Sequence, residues 1–226
     1  MTNMNHEQTI LIEIAKNILE QKALELDNAI TKGVNWEEIL RISLRHKVFP
    51  IVYKAINKYI PIKYQAIYDQ KYYDILKKVN IRMHELDRIL KLAEQNNIEV
   101  ILLKGPALAE IVYNDIFARQ FGDIDLLVKE ADMEKMYYLL NDIGFVQETG
   151  FDKVTNRFNT VDKPIFKYGP NFHEFQCVKD IGDNIYIFVE IKRASSAIPL
   201  KHIDDFLENV QNISINRIEV KTSNLT

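Results

Sequence analysis

The chain predicts an α+β fold, in which a mixed β-sheet core follows an N-terminal helical region. Three observations carry this expectation. Up to about residue 97, apolar residues recur at helical spacing. Beyond Asn96-Asn97, short apolar runs alternate with short helical stretches, the pattern of a sheet with helices on it. One of those runs, GDIDLLV from Gly122 to Val128, sets two aspartates two positions apart among large apolar residues. The expected organisation is therefore a helical region over residues 1–97, packed on a mixed α/β core over residues 98–226.

Each element has a local reason. Ile10, Ile14, Ile18 and Leu19 repeat at helical spacing. Asn35-Trp36-Glu37-Glu38 has the form of a capping box, with Asn35 as cap and Glu38 three positions on. The helix it opens partly buries Trp36, Ile39, Leu40 and Ile42 to Leu44, and Pro50 ends or restarts it. A long helix is expected from Lys63 to Glu94, with Tyr72, Ile75, Leu76, Val79, Met83, Leu86 and Leu90 as a packing stripe. Asn96-Asn97 breaks it. Ile98 to Leu103 then reads as a buried strand, Pro106 to Val112 as a helix and Asp123 to Val128 as a strand. Ala131 to Asp142 reads as a helix closed by Gly144. A strand starts at Phe145 to Gln147. Further strands are expected at Thr155 to Asn159, Ile165 to Tyr168, Phe172 to Val178, Ile185 to Lys192 and Ile213 to Val220. Gly182-Asp183-Asn184 supplies a hairpin turn between the strands around Cys177 and Tyr186. There is no repeat or low-complexity tract.

Composition narrows the function classes. The 226 residues are 47% apolar and 27% charged, ordinary globular values that argue against disorder. The net charge of −3 advertises no bulk affinity for nucleic acid, so stable nucleic-acid binding is not expected. A lone cysteine, Cys177, excludes an intramolecular disulfide and a cysteine-rich zinc site. The first residues lack a basic start followed by a long apolar run, so they are not read as a signal peptide. The longest apolar run, Ile185 to Val189, is too short to span a bilayer. The expectation is a cytoplasmic protein with no membrane partner. The five histidines show no metal-ligand spacing, and no Walker loop, GxGxxG or GxSxG is present.

Asp123 and Asp125 would point to one face of a strand, with Ile124 on the other. Like charges so close need a compensating cation, and paired carboxylates suit hard Mg²⁺ or Mn²⁺. The plain alternative is a strand-end turn with two exposed carboxylates. The segment Val100 to Val128 resembles the nucleotidyltransferases of the polymerase-beta superfamily. It is closest to a bacterial group of poorly characterised nucleotidyltransferases that carry LKG, an aromatic-rich helix, R and then GDIDLLV. Here those elements are Leu103-Lys104-Gly105, Tyr113, Arg119 and Gly122 to Val128. The motif-bearing part runs from about Val100 to Lys192. The wider superfamily has Gly-Ser or Gly-Gly at the turn and a shorter gap to the first aspartate. In this chain Lys104 precedes Gly105, Pro106 follows it, and Asp123 comes eighteen positions later. The related group usually continues with further helices, so the chain is read as a shortened form or a short natural member that lacks a C-terminal helical part.

The resemblance implies a third acid on a later strand. Glu190 in IYIFVEIKR is the candidate, because alternation puts Phe188, Glu190 and Lys192 on one face. Its alternative is an exposed sheet face with Glu190 beside Lys192, and Glu174 and Asp180 are the next acids to consider. Lys104-Gly105 lies between a strand and a helix, where free N–H groups favour phosphate and Gly105 permits close approach. Lys104 would meet a triphosphate as a point charge. Arg119 could clamp a phosphate or pair with Asp123 or Asp115. Lys192, Arg193, Ser195 and Ser196 could also contact phosphates or the acceptor. His173 is read as solvated or structural.

The function expected is Mg²⁺- or Mn²⁺-dependent transfer of an NMP from an NTP to an acceptor hydroxyl, with release of pyrophosphate. Catalytic and metal-holding roles fall to Asp123, Asp125 and Glu190. Nucleotide-binding roles fall to Lys104, Gly105, Arg119 and Lys192. The partners are an NTP and an acceptor that is a small molecule, protein or RNA. A toxin-like enzyme acting on RNA or protein shares this chemistry. A catalytically silent nucleotide- or partner-binding module on the same fold is the alternative from another class.

Overall fold

A computed structural model describes residues 6–19, 33–152, 157–161, 174–183, 185–193 and 209–223. Helices come first: α1 (His6–Leu19), α2 (Trp36–Arg45), α3 (Phe49–Ile56) and the long α4 (Ile62–Gln95). Then follow β1 (Val100–Leu103), α5 (Gly105–Tyr113), β2 (Asp123–Val128), α6 (Met133–Asp142), β3 (Val146–Asp152), β4 (Arg157–Val161), β5 (Glu174–Gly182), β6 (Ile185–Arg193), β7 (Val210–Ile215) and β8 (Ile218–Ser223). The strands form one mixed sheet in the order β4-β3-β5-β6-β2-β1-β8-β7. This is the α+β class that the sequence predicts.

The chain divides into two compact units. One is Met1–Val79 with Phe117–Gln120, and the other is Asn80–Ile116 with Phe121–Thr226. The division falls inside α4, at a position no composition change marks.

In the first unit, α2 starts with half of the expected capping box: the Asn35 side chain accepts from the Glu38 N–H at 3.2 Å, but the Asn35 N–H donates to Glu7 Oε1 at 3.0 Å and the Glu38 carboxylate is taken by Arg41. Pro50 restarts the chain as a helix, lying in the first turn of α3, where a missing N–H costs nothing. Phe49, Tyr68 and Trp36 form a ring cluster, and the Tyr68 hydroxyl donates to the Trp36 carbonyl at 2.6 Å.

In the second unit, β2 is central. It pairs antiparallel with β1 and parallel with β6. Ile124, Leu126 and Leu127 are almost wholly buried. Burying each such side chain contributes about 1.5–3 kcal/mol, and this fixes the register of the strand that carries the aspartates. Beneath that sheet, Tyr137 of α6 meets Phe175 of β5 edge to face at 6.0 Å. Glu85 of α4 and Lys179 of β5 form a nearly buried ion pair at 2.8 Å, with the ammonium over the Phe145 ring. The Thr222 hydroxyl donates to the Leu102 carbonyl at 2.7 Å and ties β8 to β1.

One expected strand is two. The run Ile213 to Val220 folds as the hairpin β7–β8, with Asn216 and Arg217 at its turn. Both turn residues have positive φ, 49° and 68°, as a tight two-residue hairpin requires. The alternation I-S-I-N-R-I-E-V slips by one position at Asn216-Arg217, but Asn-Arg lacks the glycine that marks such turns in sequence. The Gly182-Asp183 turn does join β5 to β6, with positive φ at both residues. The expected strand Ile165 to Tyr168 lies outside the described residues, as do the starts of those expected at Thr155 and Phe172, and Asn184 of the hairpin turn.

Candidate functional site

The strand β2 presents Asp123 and Asp125 on one face and buries Ile124 and Leu126 on the other. Its parallel partner β6 sets Phe188 opposite Asp123, Glu190 opposite Asp125 and Lys192 opposite Leu127. Partners in register share a face, so the sheet itself places Glu190 beside the aspartates. A carboxylate oxygen from each of Asp123, Asp125 and Glu190 lies within 4.8 Å of the others. Asp125 is the buried member, with only 4% exposure, and its Oδ1 accepts no hydrogen bond.

A buried carboxylate oxygen without a partner is costly unless a cation meets it. Two ammonium groups stand near. Lys192 Nζ is 3.5 Å from Asp125 Oδ1, and Lys104 Nζ is 3.9 Å from the same atom. Lys192 also donates to Glu190 Oε2 at 2.7 Å and to Glu174 Oε2 at 2.9 Å. Burial is the largest influence on Lys192 and pulls its pKa down. The bonds to Glu190 and Glu174 outweigh it, so the ammonium is held above its usual range. The donor set is all oxygen, compact and partly buried, and it fits a hard divalent cation such as Mg²⁺ or Mn²⁺.

The Lys104-Gly105 turn borders these acids. A Cβ on Gly105, whose φ is +39°, would lie 3.6 Å from the Asp123 carbonyl oxygen, so the turn runs close against β2. Lys104 caps α5 with φ 51° and ψ −145°, a backbone region that side chains other than glycine rarely adopt. Its carbonyl accepts the Leu108 N–H at 3.3 Å. Pro106 sits in the first helical turn as expected.

The other sequence candidates fall in different places. Arg119 is half-buried in the connection from α5 to β2, in the stretch that groups with the first unit. Glu174 lies opposite Lys192 on β5 and outside the three-acid group, while Asp180 accepts from the Gly182 N–H at the β5–β6 turn. Ser195, Ser196 and His173 lie outside the described residues. At the Asp123 end of the same sheet face, Phe158 of β4 packs edge to face on Tyr186 and Phe188, with ring centroids 5.1 and 5.2 Å away.

Sequence reasoning missed Arg82. Its guanidinium, on α4, donates to the Gly122 carbonyl at 3.2 Å, one residue before Asp123. Burial lowers its pKa, and the nearby charge of Asp123 opposes that. Nothing in IRMHEL distinguishes this arginine from a solvated helix residue. The Glu174–Lys192 pair depends on a register shift between Asp180 and Gly182, which the turn residues do not announce.

With this geometry in view, a family model described as an uncharacterised nucleotidyltransferase matches residues 32–224. The chain belongs to that family. An antigenic nucleotidyltransferase-like protein from Paracoccidioides brasiliensis, known from its crystal structure, is similar at 15% identity and a TM-score of 0.38. The similarity covers 65% of this chain and 60% of that one. No curated protein matches. No described helix is long and apolar enough to cross a membrane.

Proposed function

We propose that the chain is a divalent-metal-dependent nucleotidyltransferase that moves an NMP from an NTP to an acceptor hydroxyl. The observation that carries this reading is the meeting of Asp123, Asp125 and Glu190 on one sheet face. Asp123, Asp125 and Glu190 would hold Mg²⁺ or Mn²⁺. When bound, the metal would supply charge neutralisation on the phosphates and acidify the attacking hydroxyl.

The remaining work falls to the chain itself. The acceptor oxygen attacks the α-phosphorus, the bond from that phosphorus to the bridging oxygen breaks, and pyrophosphate leaves. Glu190, half-buried on the acid face, would assist in taking the hydroxyl proton and pass it to water. The start of α5 offers backbone N–H groups beside β2 for the β- and γ-phosphates, and Lys104 adds a positive charge there. Lys192 adds positive charge beside the acids in this reading. Arg82 steadies the Gly122 carbonyl and keeps Asp123 oriented.

Calorimetry with Mn²⁺ and a non-hydrolysable ATP analogue tests the site. Binding should be weak for Mn²⁺ alone and stronger with the analogue, whose phosphates supply further oxygens. Unchanged binding in the double variant Asp123→Asn, Asp125→Asn would refute the assignment. Incubation with labelled NTPs, Mg²⁺ and a cell extract should then mark the acceptor. Binding of metal and NTP without labelling of any acceptor would favour the silent binding module.

A further inference from the structure

The Lys192 ammonium occupies the ground that a divalent cation would need. It bonds Glu190 at 2.7 Å, approaches Asp125 to 3.5 Å and keeps a third carboxylate, Glu174, at 2.9 Å. Exposure differs across these partners. The side chains of Lys192, Asp125 and Glu190 are 16%, 5% and 21% exposed, whereas that of Glu174 is 51% exposed. The lysine thus bridges an enclosed pair of acids and an open one.

We propose that Lys192 is a built-in counter-cation: it neutralises Asp125 and Glu190 when no metal is bound and passes to Glu174 when one is. The inference rests on the metal-site reading above. Its physical basis is simple. Two close carboxylates in a partly buried site repel each other, and an ammonium between them removes that cost. A divalent cation held by the same oxygens would repel the ammonium strongly. Lysine can yield because its charge sits on a flexible four-carbon stem and needs no fixed bonding plane. Glu174 lies opposite Lys192 in the β5–β6 register and already shares a bond with it, so the ammonium needs no new partner. Metal binding alone is then kept weak, because it must displace a resident charge.

The test is Mn²⁺ binding to the full chain, followed by electron paramagnetic resonance, with and without the non-hydrolysable ATP analogue. Lys192→Met should bind Mn²⁺ about tenfold more tightly, equivalent to ~1.4 kcal/mol. Without metal, that variant should melt at a lower temperature than the parent, and Mn²⁺ should restore it. Glu174→Gln, at an exposed position, should weaken Mn²⁺ binding about threefold, the scale of an exposed ion pair. In the Lys192→Met background the same substitution should have no effect. Equal or weaker Mn²⁺ binding in Lys192→Met would overturn the inference and leave the metal site standing. Unchanged binding in Glu174→Gln, or an equal loss in both backgrounds, would do the same. Absence of Mn²⁺ binding in every protein, analogue included, would overturn the site itself.

Discussion

Replacing Lys104 by glycine should make the protein more stable while weakening its hold on nucleotide. Lys104 sits at φ 51° and ψ −145°, where a Cβ is strained. Such a conformation costs on the order of 1–3 kcal/mol for a residue other than glycine. Glycine relieves that cost but adds freedom to the unfolded chain, worth about 0.5–1 kcal/mol. The substitution also removes the ion pair with Asp125, 3.9 Å long and with a lysine side chain 68% exposed. An exposed pair of that kind is worth at most about 1 kcal/mol. The balance is a gain near 1 kcal/mol, or roughly 2–4 °C in Tm for a chain of this size. Lys104→Ala separates backbone from side chain. It loses the same ammonium but keeps the strained Cβ, so it should be no more stable than the parent. Thermal melts read the stability, and calorimetry with Mn²⁺ and the ATP analogue reads the second effect, which should fall in both variants. If Lys104→Gly melted no higher than Lys104→Ala, the strain argument would be wrong. If both bound the analogue as the parent does, Lys104 would have no part in nucleotide binding.

Glu85→Ala should cost about 3–5 kcal/mol in urea unfolding, because it strands the Lys179 charge in a largely buried site. A paired Glu85→Leu, Lys179→Leu change should recover most of that loss. The Cys177 thiol, pushed up to about 12 by burial, should resist alkylation at pH 8 in the folded protein and react at the rate of unfolding. Fast labelling under native conditions would contradict its placement. Glu99 is held below its usual carboxyl value, chiefly by the bond from Lys221 and then by that from Lys129. A depressed folded value means its stabilisation is full above the unfolded pKa near 4.5 and is lost as pH falls through the folded one. Lys221→Met should therefore flatten part of the acid limb of a stability–pH profile, by at most about 1 kcal/mol.

Much of this molecule is local and so legible in its residues. The side-chain cap at Asn35, the proline at the start of α3 and the strand of alternating aspartates each express a preference within a few positions. The face shared by Phe188, Glu190 and Lys192 follows from the same two-residue period, whereas what lies opposite depends also on the bulge between Asp180 and Gly182. The β7–β8 turn was hard to read because its only marks are the adjacent polar residues Asn216 and Arg217, with no glycine between them. What the residues could not show is which strands become neighbours. That β2 lies beside β6, in a register setting Asp125 against Glu190, depends on pairing across more than sixty positions, driven by burial of Ile124, Leu126, Val189 and Ile191. The same long-range pairing decided that Lys192 bridges three carboxylates, and packing of α4 decided that Arg82 reaches Gly122. The sequence by itself determined the elements and their chemical faces, because side-chain period and capping act over short distances. Only the tertiary structure decided which charges share a site, because the hydrophobic burial that chooses strand order is non-directional and acts between segments far apart in the chain.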